Sequence, residues 1–268
     1  MAENFPRNFL FENIGEKCYY ICKNENIACI KYLHLIDLQN LRIKDEKILI
    51  SWEDAKSRVN EKFNINHSPN DGIFNELMDQ RMRKYNTTNI RNMVKSYDDA
   101  YIGFEVFPNY IYITNVLNSK WQVFSNKEEG LLTRPLFCTF NSNIMAFVTV
   151  GAKDVFIGNF ETGELVKILS VDDPNLFIGC PSYIIMEEFN RFDGCWWIDY
   201  GNCQDYYLLV EYINNKKVEN VKLHCKDNII DIPYSCAGSA NASSIIKLIH
   251  FKKNDESISV MYIILHYG

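Results

Sequence analysis

"IMAFVTVGAKDVFIGNFETGELVKIL", residues 144–169, carries the pattern on which the fold turns. Three short runs rich in Val, Ile and Phe, "IMAFVTV", "KDVFIGNF" and "ELVKIL", are separated by small and turn-forming residues. Glu161-Thr162-Gly163 is the compact turn of a hairpin joining the second run to the third.

The same cadence continues outward in both directions. "YIGFEVF", "NYIYITNV" and "KWQVFS" precede this stretch, and "YYLLVEYI" and "SVMYIILHY" follow it. From about Tyr97 onward, short strands with turn punctuation argue for an antiparallel sandwich, barrel or propeller, and periodicity alone does not choose among them. A repeat of propeller-blade length, ~40–50 residues, is only loosely present. Nearer the N-terminus the period changes. Trp52, Ala55, Val59 and Phe63 recur at helical spacing behind Ser51 and Asp54, a pair that resembles a helix-start cap. Phe74, Leu77, Met78 and Tyr85 repeat the pattern, while "KCYYICK" and "KILI" read as strands. A soft boundary near Val94 therefore divides a lead-in with two short helices (1–94) from a β region (95–268).

Composition narrows the function. The chain has 268 residues, 47% of them hydrophobic, which is enough apolar material for a real core. A net charge of -6 leaves no basic footprint, so neither nucleic acid nor membrane is expected as a partner. No apolar run approaches the ~18 residues of a membrane helix, and the start has no signal-peptide pattern. Nine scattered cysteines fit reduced thiols in the cytoplasm better than a disulfide framework.

Motifs for chemistry are few. There is no G-x-S-x-G elbow, and the five histidines stand in no motif context, so no catalytic residue is assigned. Cys18, Cys22 and Cys29, followed by His34, lack zinc-knuckle spacing; Cys18, Tyr20 and Cys22 alternate as one strand face and read as core thiols. No phosphate loop exists. Neither metal nor cofactor is expected.

What remains is "YIIMEEFNRFDGCWW", residues 183–197. Glu187 and Glu188 have one ordinary reading, a surface helix start stabilised by the helix dipole. The apolar flanks "YIIM" and "CWW" favour a partly buried turn instead. On a helical turn two adjacent carboxylates can converge on one ammonium through charge-assisted hydrogen bonds, whereas in a strand they would diverge.

This stretch closely resembles the double-glutamate segment of the dipeptidyl peptidase IV family, in the wording "EEF-x-R-aromatic-x-G-x-WW" of its cytosolic branch. "IMAFVTVGAKDVFIGNFETGE" is similar to a blade of the family's propeller, and "DIPYSCAGSANAS" resembles its Y-P-K-x-G-x-x-N-P element, keeping Tyr234, Gly238 and Asn241. The resemblance implies the first antiparallel four-stranded blades of a β-propeller behind a mixed α/β lead-in, and a serine exopeptidase that removes N-terminal dipeptides with Pro or Ala second. It implies that Glu187 and Glu188 bind the peptide's α-ammonium and that an arginine binds its carbonyl region. In "ELMDQRMRKY" that arginine is Arg83, with Arg81 as the rival register and a solvated arginine as the ordinary reading.

Two departures stand out. Ser235-Cys236 and Ala242 replace the family's prolines and lysine in the last element. The chain also ends at "MYIILHYG", inside what the resemblance makes propeller, so no hydrolase domain is expected within it. The expected partners are peptide N-termini and a like or full-length family member, paired through a propeller arm near 219–233. Against the peptidase reading stand a non-catalytic paralogue that modulates a full-length peptidase and an unrelated all-β protein.

Overall fold

The computed structural model describes residues 11–14, 16–24, 27–34, 46–63, 90–106, 110–126, 132–133, 135–181, 193–199, 206–214, 220–225, 228–233, 243–253 and 256–266. Within them the chain is mainly β. Strands β1 (Phe11–Ile14), β2 (Lys17–Asn24), β3 (Ile27–His34) and β4 (Lys47–Ile50) form an antiparallel sheet in chain order. The single described helix, α1 (Trp52–Phe63), follows. A second sheet takes β5 (Ile90–Lys95), β6 (Tyr101–Val106), β7 (Tyr110–Asn115) and β8 (Trp121–Phe124), again in chain order. A third takes β9 (Leu136–Phe137), β10 (Ile144–Val148), β11 (Asp154–Asn159) and β12 (Leu165–Ser170). The fourth is built from β13 (Leu176–Ile178), β14 (Cys195–Asp199), β15 (Tyr206–Asn214), β16 (Asn220–Cys225) and β17 (Asn228–Pro233). Strands β18 (Ser243–Lys253) and β19 (Glu256–His266) pair as a hairpin.

Up-and-down sheets of four strands are the repeating unit of a propeller, which decides among the three β architectures open to the sequence. The lead-in holds both strands and a helix among its described residues. "KCYYICK" and "KILI" belong to a complete four-stranded sheet, and "FNELMDQRMRKY" lies outside the described residues. Val94 sits inside β5, a strand whose register shifts between Arg91 and Val94 and whose Asn92 has φ 53°. That bulge breaks the alternation by which a strand is read from sequence.

By contacts the chain divides into two compact units. The first comprises Met1–Phe137, Ser142–Phe147 and Gly158–Leu165; the second comprises Cys138–Asn141, Val148–Ile157 and Val166–Gly268. In the first unit, Ala55 and Val59 of α1 are buried with Tyr19, Ile30, Phe104 and Tyr112 in one apolar cluster, and Trp52 and Phe63 pack against it. The four periodic positions thus face the core. Ser51 and Asp54 close a reciprocal cap: the Asp54 amide donates to Ser51 Oγ (3.1 Å), and Ser51 Oγ donates to Asp54 Oδ2 (2.6 Å). Arg58, one turn on, donates to the Tyr112 hydroxyl and lies 5.6 Å over the Trp121 ring. Phe104, Tyr112 and Trp121 are stacked in sequence across β6, β7 and β8, so the cation covers the end of an aromatic ladder.

Two hairpin turns share one construction. Asn115 Oδ1 accepts from the amides of Leu117 (2.9 Å) and Asn118 (3.2 Å), and Ser119 follows at φ 59°. Asn159 Oδ1 accepts from Glu161 (2.9 Å) and Thr162 (3.2 Å), and Gly163 follows at φ 71°. Each turn joins the third strand of its sheet to the fourth. This is the blade-length repeat that looks loose in sequence. Its constant part is an asparagine and a left-handed residue four positions later, not an apolar pattern.

Candidate functional site

Strands β13 and β14 are two halves of one strand line. Opposite Tyr212, β15 carries Ile178 of β13 on one edge and Lys222 of β16 on the other. Opposite Val210 it carries Cys195 of β14 and His224 of β16. A strand has only two edges, so β13 and β14 occupy the same one. Between them the chain leaves the sheet at Gly179 and returns at Gly194. Only Glu211 of β15 faces the break, and its backbone spans it. The Gly179 amide donates to the Glu211 carbonyl (2.9 Å), and the Glu211 amide donates to the Gly194 carbonyl (2.8 Å). A third bond, from the Gly194 amide to the Gly179 carbonyl (3.2 Å), closes the neck directly.

Both glycines are needed for this neck. Gly179 has φ +70°, a left-handed turn that lets the chain leave the sheet plane at no steric cost. A Cβ there would stand 2.7 Å from Val148 Cγ2 and 3.0 Å from Cys195 Sγ. At Gly194 a Cβ would meet backbone: 2.6 Å from the Cys180 nitrogen and 2.7 Å from the Gly179 carbonyl carbon. The approach to β13 is also fixed. Ile178 donates its amide to the Ala152 carbonyl (2.8 Å), while Lys153 Nζ donates to the carbonyls of Asp173 (2.9 Å) and Leu176 and lies 4.2 Å over the Phe177 ring.

Packing behind the neck is tight. Cys195, Trp197, Leu209, Val210 and Glu211 are all buried. Burial pushes the Cys195 thiol far above its ordinary value, with the nearby charges of Asp193, Glu211 and Cys180 adding to the effect. Trp197 is in the core opposite Leu208, while Trp196, opposite Leu209, is half-buried on the other face. Adjacent strand residues point to opposite faces, so the tryptophan pair clamps β14 from both sides.

The ends of the excursion meet at Gly179 and Gly194, and residues 182–192 between them lie outside the described residues. Glu187 and Glu188 fall near its middle by sequence, and both lie outside the described residues, as do Arg83 and Arg81. Tyr234, Gly238 and Asn241 also lie outside them. The structure therefore describes the mount of the acid pair. Two residues of that mount, Gly179 and Glu211, carry no signal in a single sequence. A glycine in "FIGCPS" and one acid inside "YYLLVEYI" are ordinary until β13 and β14 are known to share an edge. Among the described residues no group of three or more His, Cys, Asp or Glu is placed to hold a metal ion, and no helix is long and apolar enough to cross a membrane.

No curated protein matches the chain. Similar solved structures include TolB from Acinetobacter baumannii, 11% identical over 75% of this chain and 38% of that one, with a TM-score of 0.33. A chain of the mitotic checkpoint complex is 10% identical over 97% of this chain and 61% of its own, at a TM-score of 0.43. A chain from a study of two prolyl endopeptidases is 9% identical over 94% of this chain and 40% of its own, at 0.37. The chain thus spans less than two thirds of each of these structures. The family model described as the dipeptidyl peptidase IV N-terminal region matches residues 91–264, a span that takes in the second, third and fourth sheets, the neck and the final hairpin. On that match, over well more than half its length, the chain belongs to the dipeptidyl peptidase IV N-terminal region family.

Proposed function

We propose that this chain is the substrate-recognition portion of a cytoplasmic dipeptidyl peptidase IV-like serine exopeptidase, and that it grips the free amino terminus of a peptide. The observation that carries the reading is the closed neck at Gly179, Gly194 and Glu211, which makes residues 180–193 an excursion from one strand line. A binding loop mounted on a rigid strand holds its groups more reproducibly than a free loop does. Glu187 and Glu188 receive the α-ammonium, and Arg83 receives the carbonyl region beyond it. Fixing the amine at a set distance presents only the second peptide bond for cleavage, so the contribution is positioning. Nine scattered cysteines, an odd number without a framework spacing, support a reducing compartment.

Bond cleavage needs a nucleophile, a histidine and an acid in one constellation, and no motif in these 268 residues supplies it. The chain by itself therefore binds without hydrolysing. Calorimetric titration with a short X-Pro peptide tests the reading. Binding that disappears when the peptide is N-acetylated, with no product released from a Pro-linked dipeptide substrate, is the expected result. Binding indifferent to acetylation sinks the amine receptor. Co-purification with a full-length family member that is insensitive to loss of both glutamates favours a non-catalytic modulator instead.

A further inference from the structure

In the first sheet, Cys22 of β2 stands directly opposite Cys29 of β3. Directly opposed residues in an antiparallel pair have Cα atoms about 4.5 or 5.5 Å apart, depending on whether the pair exchanges backbone hydrogen bonds. Both spacings fall within the range of about 4.4–6.8 Å that a disulfide spans. Both residues are half-buried, so a small reagent can reach them. Cys18 lies on the same strand face, but it is buried and stands opposite Leu33, with no thiol partner in register. Two residues beyond Cys29, Lys31 pairs with Glu46 at 2.7 Å on that face. Its positive charge opposes the burial that raises the Cys29 thiol.

We propose that Cys22 and Cys29 form a reversible redox site, a dithiol that a low-molecular-weight disulfide closes into a cross-strand bridge. The Cys22 thiolate attacks one sulfur of oxidised glutathione and expels one glutathione thiolate, giving a mixed disulfide. Cys29 then loses its proton to solvent and attacks the Cys22 sulfur, expelling the second glutathione. Two protein thiols are oxidised and one glutathione disulfide is reduced to two glutathiones, so the exchange balances and a thiol reductant reverses it. The bridge staples β2 to β3 and leaves the pairing register unchanged. The site is independent of the peptide-binding reading, since it lies in the lead-in and uses none of those residues.

Peptide mapping of the folded 268-residue chain tests it. The protein is incubated with oxidised glutathione, its remaining thiols are alkylated, and it is digested with trypsin. The expected product joins peptide 18–23 to peptide 24–31 through Cys22 and Cys29, and dithiothreitol releases it. Cys18→Ser retains the linked pair. Cys22→Ser and Cys29→Ser each abolish it and leave the surviving thiol glutathionylated. A bridge between Cys18 and Cys22, mixed disulfides that never close, or linkage spread indifferently over the nine cysteines would overturn the proposal.

Discussion

Gly194 shows how much a single missing side chain contributes here. A Cβ at this position would overlap the backbone of Gly179 and Cys180, where no flexible side chain can give way. Gly194→Ala is therefore expected to destabilise the second unit by about 1–3 kcal/mol, the range for overpacking a tight site. The measurement is a shift of the urea midpoint with the slope unchanged. The glycine was legible, because the family wording "EEF-x-R-aromatic-x-G-x-WW" contains it; its reason was not, because the clash is with a segment on the far side of the excursion. Ser51 and Asp54 are the opposite case. Their spacing alone announces a cap, since all the atoms of a cap are local. Hydrogen bonds from Ser51 hold the Asp54 carboxyl below the usual carboxylate range. The ionised form is thus favoured in the fold, and its contribution is present above the ordinary carboxylate pKa and lost as pH falls through the depressed value. Ser51→Ala should cost about 1 kcal/mol near neutrality, and the deficit should shrink on acidification, as read by thermal unfolding at a series of pH values.

Turns and ladders set the behaviour of whole elements. Asn159 and Asn115 each satisfy two amides of the turn that ends the third strand of their sheet. Asn159→Ala removes the acceptor of both hydrogen bonds and should destabilise by about 1–2 kcal/mol, while Asn159→Asp, which keeps an acceptor, should retain most of the stability. Comparing the two by chemical denaturation separates the hydrogen bonds from simple loss of bulk. The strands around these turns were legible from Val, Ile and aromatic runs. Elements such as β5 and β13 were not, because β5 carries a bulge and β13 is three residues long. In the second sheet, burial pushes the Tyr112 hydroxyl up to about 12, with Arg58 opposing the shift, and Tyr19 in the first sheet is likewise pushed up to about 12 by burial. Because the neutral phenol is the form the fold accommodates, stability is fully present below pH about 10 and falls as pH rises through about 12. Tyr112→Phe should flatten part of that alkaline loss in pH-dependent urea titrations, at the cost of the hydrogen bond from Arg58.

At the scale of the molecule, the fourth sheet departs from the four-stranded sheets before it at a place that the sequence also marks. The first strand of the fourth sheet is interrupted, and the interruption contains the acid pair. The β class and the acid pair were both readable from residues alone. The mount was not, because it depends on β15, whose partners on one edge are separated in the chain by the excursion itself. In the proposed function this excursion holds Glu187 and Glu188 to receive a charged amine. A thermodynamic cycle tests it most directly, crossing N-acetylation of an X-Pro peptide with Glu187→Gln plus Glu188→Gln and measuring all four affinities by titration calorimetry. With the pair as amine receptor, acetylation weakens binding to the native chain by about tenfold or more, as expected for loss of charge-assisted hydrogen bonds worth at least ~1.4 kcal/mol, and makes no difference to the double variant. An acetylation penalty of equal size in both proteins would contradict it.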